Sequence, residues 1–220
     1  MTGLLCGRRN WSLNCKSIMK DEEIVKKFGG NYRADKNTFK MGIDRRITVE
    51  IAKRFKGLRV LETCTGGGFS TIALARVARS VSTVEINRAI QNQAKENIKQ
   101  AKCSNKVTFI LGDVMNKNIV DSLPPFDAAF LDPDWADNGQ DHIYRFINST
   151  TRPPADKLFK KILHYTKNIA LVLPPVIPKN EFANLPALEL QNIYLDGELV
   201  LFCLYFGTLM YTNTETKLII

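Results

Sequence analysis

From residue 58 onward the chain runs in short apolar blocks separated by amphipathic ones. LRVLET (58–63), VSTVEI (81–86), KVTFILGD (106–113), FDAAFLD (126–132) and NIALVLPP (168–175) are β-branched and apolar runs of strand length. Between them lie helical patterns: FSTIALARVAR (69–79), NRAIQNQAKENIKQAK (87–102) and a stretch near 155–166. A short helix near 178–184 then precedes two further runs, ALELQNIYL (187–195) and ELVLFCLYFG (198–207). Asp196-Gly197 separates those two, and Asp-Gly between apolar runs is the strongest short hairpin signal. Strand and helix therefore alternate five times before a hairpin. This predicts an α/β fold: a seven-stranded, mostly parallel, Rossmann-like sheet, helices on both faces, and a C-terminal antiparallel hairpin. Ahead of it, DEEIVKKFGG (21–30) holds a short helix stopped by two glycines. GIDRRITVEIAKRF (42–55) predicts a helix with Ile47, Ile51 and Phe55 on one face. The expected division is a basic N-terminal arm with helices over 1–57 and a catalytic domain over 58–220.

Charge sharpens that division. The formal net charge is +9. Residues 1–57 carry 14 Lys and Arg against 6 Asp and Glu, whereas residues 58–220 carry 17 against 16. A basic segment joined to a near-neutral domain points to a polyanionic partner, RNA being the expected one. Five scattered cysteines without a CxxC pair, and two histidines without ligand spacing, argue against a metal site and a disulfide framework. They fit a reducing compartment, cytoplasmic or, in a eukaryote, nuclear. No apolar stretch approaches the roughly 20 residues that span a bilayer, so no membrane association is expected.

The polar residues at strand ends carry the chemistry. In an open α/β sheet, ligands bind at the carboxyl ends of the strands. VLETCTGGGFSTIALA puts Glu62 at the end of the first strand and Gly66, Gly67 and Gly68 in the following turn. The dinucleotide spacing G-x-G-x-x-G is not met, because residue 71 is Thr. An acid ahead of the glycines opposes a pyrophosphate but pairs with a methionyl ammonium. Glu85 ends the second strand, where a carboxylate accepts from two ribose hydroxyls. Asp113 ends the third, within reach of an adenine amino group. Acids at three successive strand ends predict a site for S-adenosylmethionine (SAM), with Thr63, Ile86 and Val114 beside them. The fourth strand ends in Asp132-Pro133-Asp134-Trp135. An exocyclic amine conjugated to a base is a weak nucleophile, and acceptors on its N–H bonds support the charge it develops. Asp132 is the expected acceptor, also touching the cofactor. Pro133 is the stiffener and Trp135 the platform on which a base stacks. Asp134 is the candidate reader of guanine, whose N1–H and N2–H form adjacent donors.

Residues from about 29 to 207 resemble the trimethylguanosine synthase family, RNA cap guanine-N2 methyltransferases of the class I SAM-dependent fold. VLETCTGGGFSTIALA is similar to that family's glycine motif, VEINRAIQNQAKENIKQA to its second-strand acid and helix, and VTFILGDVM to its third strand. FLDPDWADNG resembles its S-P-P-W-G-G with the tryptophan retained, and KNIALVLPP and LDGELVLFCLYFG match its last strands. The resemblance implies that Glu62, Glu85 and Asp113 hold SAM, that Asp132 and Pro133 line the transfer site, and that Trp135 stacks on guanine. It also implies that the basic N-terminal segment covers the cofactor and contacts RNA. Asp132 and Asp134 stand where Ser and Pro are usual, and Asp137 where glycine is. The expected function is SAM-dependent RNA methylation at the exocyclic N2 of guanine. The competing expectations are a small-molecule N-methyltransferase and an RNA-binding protein with a degenerate site.

Overall fold

A computed structural model describes residues 21–135 and 142–220. The basic start, residues 1–20, and Asp137 lie outside the described residues. Eight strands form one sheet: β1 (Arg59–Thr63), β2 (Ser80–Glu85), β3 (Val107–Leu111), β4 (Ala128–Leu131), β5 (Ile169–Leu173), β6 (Leu188–Leu195), β7 (Glu198–Phe206) and β8 (Glu215–Ile219). Their order is β3-β2-β1-β4-β5-β7-β6-β8. The first five run parallel, β7 is antiparallel to β5 and β6, and β8 runs parallel to β6.

The expected seven strands become eight because TETKLII adds an edge strand. Its residues alternate between exposed and half-buried, so it lacks the apolar density by which the others announce themselves. The hairpin matches expectation. Asp196 and Gly197 both have positive φ, at 52° and 89°, as a two-residue turn twisted like its strands requires.

Among the described residues, seven α-helices flank the sheet: α1 (Asp21–Phe28), α2 (Lys36–Met41), α3 (Arg45–Ala52), α4 (Phe69–Val77), α5 (Arg88–Gln100), α6 (Lys117–Asp121) and α7 (Ala155–Leu163). Side-chain caps set several starts: Asp35, Asp44 and Asn87 each accept backbone N–H groups of the first turn. The helix expected over 42–55 is α3 continued by a 3-10 turn, Lys53–Phe55, with Ile47, Ile51 and Phe55 all buried. The one expected near 178–184 is a 3-10 turn only, Lys179–Phe182.

Alternate strand residues face two separate cores. Val60, Phe130, Val172 and Cys203 pack on one face with α1, α3, α4 and α5. Leu61, Leu131, Leu171 and Phe202 pack on the other with Leu158, Phe159 and Ile162 of α7. The N-terminal helices share the first core: the Phe28 ring stacks on Phe69 at the start of α4, 3.5 Å between centroids and 5° from parallel. Arg54 ties that side to the C-terminal strands. It is buried, forms two hydrogen bonds with the Glu189 carboxylate, and lies between the rings of Tyr205 and Tyr211 at 3.7 and 3.9 Å.

Candidate active site

The strand order reverses between β1 and β4, and at such a switch point connections diverge and leave a crevice at the carboxyl ends. Glu62 and Asp132 stand there. Glu62 is buried on the α4 face and accepts a 2.5 Å hydrogen bond from Thr71 Oγ1. Burial, opposed by hydroxyl hydrogen bonds and reinforced by Glu85, pushes its carboxyl up to about 7. Asp132 follows β4 and is half-buried at its surface. Desolvation, then the charges of Glu62 and Asp134, push it up to about 8. Among the described residues neither carboxyl has a cationic partner at ion-pair distance. Two acids without a cation beside them form a pocket suited to a positively charged ligand.

The glycine turn wraps past these acids. Cys64 has φ +61°, Gly66 +53° and Gly68 +79°. A β-carbon on Gly66 would meet only the Cys64 carbonyl, at 4.0 Å, so that face of the turn is open to a ligand. Gly68 faces inward: its β-carbon would lie 3.1–3.3 Å from Ile98 and Ala94 of α5. The turn is held by Glu85, whose two oxygens accept Gly66 N–H at 3.1 Å and Asn87 N–H at 2.9 Å. Thr65 and Thr83 share a buried 2.5 Å hydroxyl bond beneath it.

The remaining cofactor candidates fall as follows. Thr63 is fully buried with its hydroxyl unpartnered at the end of β1. Ile86 is 69% exposed beside Glu85, an apolar surface such as an adenine ring packs against. Asp113 lies two residues past β3, exposed, and accepts Met115 N–H at 2.8 Å. Val114 turns into the second core. The donor set fits SAM: acids for its cationic end, a strand-end carboxylate for ribose and an exposed apolar side chain for adenine.

A separate cavity of about 490 Å³ lies beside Trp135. Trp135 forms one wall, Phe39, Gly42 and Ile43 with Ile47 another, and Leu195, Val200 and Leu201 of the hairpin a third. Lys26, Lys27, Lys40 and Arg46 stand around it. The indole is half-buried, packs in part on the first core, and has its Nε1–H buried without a partner. Asp134 is not part of this lining. Its Oδ2 receives Arg152 Nη2 at 3.0 Å.

Three positioning residues were not legible beforehand. Thr71 sits in the glycine motif but showed no sign of pairing with Glu62. Asn97, buried on α5, receives Arg33 N–H and donates to the carbonyls of Arg33 and Gly67, joining the N-terminal segment to the glycine turn. A buried amide in a helix interior is unusual enough to have drawn notice. Arg152 gave no signal. Among the described residues no helix is long and apolar enough to cross a membrane, and no group of three His, Cys, Asp or Glu could hold a metal ion.

A protein-family profile described as RNA cap guanine-N2 methyltransferase matches residues 57–194. Among curated proteins, ribosomal RNA small subunit methyltransferase D of Haemophilus influenzae is 34% identical over 73 residues, covering 30% of this chain and 36% of that protein. The chain thus matches about a third of that relative's length. Among solved structures, a candidate methyltransferase from Porphyromonas gingivalis W83 superposes with TM-score 0.72 at 17% identity, over 87% of this chain and 48% of that one. The O-methyltransferase TomG of Streptomyces achromogenes, solved with SAM, gives TM-score 0.53 at 17% identity, over 85% and 96%. At these identities the structural likeness is one of fold.

Proposed function

The chain belongs to the RNA cap guanine-N2 methyltransferase family, a family of SAM-dependent methyltransferases, and on that premise we propose that it methylates the exocyclic N2 of guanine in RNA. The observation that carries the base-specific part is the wall of the 490 Å³ cavity. In that wall the Trp135 indole offers a stacking surface, and the acceptor we assign, Asp132, lies three residues before it in the chain. Such a volume suits a nucleoside, since ligand pockets run from about 300 to 1,000 Å³.

When bound, the donor supplies a methyl carbon on a sulfonium, open to in-line displacement. Glu62 and Asp132 balance its positive charge. Glu85 accepts from the ribose hydroxyls, and Ile86 and Asp113 frame the adenine, while the Val114 side chain belongs to the core. Trp135 sets the plane of the acceptor base, so that its amine lies toward the donor instead of tumbling. Asp132 accepts from the amine N–H and steadies the charge that grows on nitrogen. Pro133 holds these two at a fixed spacing. The Asp134 carboxylate is engaged by Arg152, so we assign it to holding the motif and not to reading guanine. The lining mixes lysines with the acids Glu23, Asp44 and Asp196, so the preference for RNA rests on the family and on the basic N-terminal quarter of the chain.

The test is incubation with labelled SAM and RNA, followed by nucleoside analysis for N2-methylguanosine. Label in that nucleoside is expected; label only in small metabolites overturns the RNA reading. Trp135→Ala is expected to abolish transfer while leaving binding of S-adenosylhomocysteine (SAH) nearly unchanged. Turnover that survives this substitution removes the stacking role.

A further inference from the structure

Asp134 occupies the place where a second proline would stiffen the motif, yet it is not loose. Its backbone N–H donates to the Arg152 carbonyl at 2.9 Å, and Arg152 N–H donates back to the Asp134 carbonyl at 2.8 Å. The pair forms an isolated antiparallel bridge outside the sheet. The guanidinium then closes on the Asp134 carboxylate at 3.0 Å. A proline at 134 has no N–H and could make neither the first bond nor the ion pair.

The location gives the bridge a consequence. Residue 133 is buried, residue 132 carries the acceptor carboxyl, and residue 135 forms the cavity wall. Asp134, with Pro133, links acceptor to platform. Arg152 is anchored in turn: Thr151 Oγ1 accepts Ala155 N–H at 2.9 Å and donates to the Pro153 carbonyl at 2.8 Å, which fixes the segment to the start of α7. The ion pair is exposed on both sides and contributes little by itself. The two backbone bonds beside it are what hold the partners in register.

We propose that Arg152 is a positioning residue for the transfer site: by engaging Asp134 through backbone and side chain, it supplies the rigidity that proline provides elsewhere and fixes Trp135 relative to Asp132. The proposal rests on the functional reading above. It also has an electrostatic side. Facing Asp132 are Glu62 from β1, Asp134 on its own segment, and the thiols of Cys64 and Cys203, both raised by burial and further by Asp132. Arg152 offsets the Asp134 charge in that set.

The experiment compares Arg152→Ala, Arg152→Lys, Asp134→Pro and the double variant Arg152→Ala/Asp134→Pro. SAH binding by calorimetry establishes that each is folded. Arg152→Ala keeps both backbone bonds and removes only the exposed ion pair, so it is expected to lower kcat by about three- to fivefold, with SAH affinity unchanged. It should also move the acidic limb of the pH profile to higher pH, because an unpaired Asp134 disfavours ionisation of Asp132. Arg152→Lys should restore most of the rate. Asp134→Pro should lose activity in the presence of Arg152 but recover it in the Arg152→Ala background, where proline replaces the lost restraint and no stray charge remains. A second readout needs no RNA: in a Trp11→Phe background, acrylamide quenching of Trp135 should rise in Arg152→Ala. Wild-type kcat, pH profile and quenching in Arg152→Ala would overturn the proposal, as would failure of Asp134→Pro to rescue it. If instead the wild-type protein transfers no methyl to RNA but Trp135 quenching still responds to Arg152, the functional reading fails and the positioning role stands.

Discussion

At the scale of single residues, the site is governed by two carboxyls that burial holds partly protonated. Glu62 lies at about 7 and Asp132 at about 8, against roughly 4 in an unfolded chain. Between about pH 4 and 8 the folded state therefore holds protons that the unfolded chain has released, so these groups lower stability as pH rises through that window. A cationic donor reverses the balance, because it favours the ionised forms. The SAM-to-SAH affinity ratio is thus expected to climb from pH 6 to pH 9. Asp132→Asn should flatten that climb and raise apo thermal stability at pH 8. Calorimetric titrations of both ligands across pH check this; a pH-independent ratio would show that no titrating carboxyl faces the sulfonium. Glu62, Glu85 and Asp132 were legible as site residues because an acid closing an apolar strand has few structural reasons to be there. The partners of Asp134 and Asn97 were not, since each lies tens of residues or a loop away and meets its partner only through the fold.

At the scale of elements, the alternation of apolar runs and amphipathic helices carried the parallel sheet, and Asp196-Gly197 carried the hairpin. What escaped was short or exposed: α2 and α6 are of six and five residues, and β8 buries neither face completely. Their stability comes from neighbours and not from their own pattern. The Arg54–Glu189 staple belongs to this scale too, since it joins the end of α3 to β6 and the segment before β8 through Glu189, Tyr211 and Thr216. Removing one partner leaves a buried charge alone. Glu189→Gln or Arg54→Met is expected to cost about 3–5 kcal/mol, whereas the double variant Arg54→Met/Glu189→Leu should recover part of it. Urea unfolding of the four proteins tests this; additive single costs would mean that the pair is not coupled.

At the scale of the whole molecule, the N-terminal helices line the cavity beside Trp135 and stack on the start of α4, and Arg33 between α1 and α2 is joined through Asn97 to the glycine turn. The segment 1–57, which includes these helices, carries 14 Lys and Arg against 6 Asp and Glu. An RNA acceptor that meets it should bind through several phosphates. Affinity should then fall steeply with salt, about 0.7 logarithmic units per decade for each phosphate contact on a single strand. SAH affinity should stay nearly flat over the same range. Parallel salt titrations with RNA and with SAH check this, and a shallow RNA slope would favour a small acceptor.

The sequence by itself determined the layered α/β fold, the succession of strands, helices and hairpin along the chain, and the acids that end β1, β2 and β4. These are written in local periodicity and in residues adjacent along the chain. Tertiary structure alone decided that α1 to α3 line the cavity beside Trp135, that Glu62 and Asp132 stand at one crevice, and that Arg152 bridges Asp134. Those outcomes depend on which distant segments share a crevice, and desolvation, which sets the charge on the two acids, exists only once that crevice has closed.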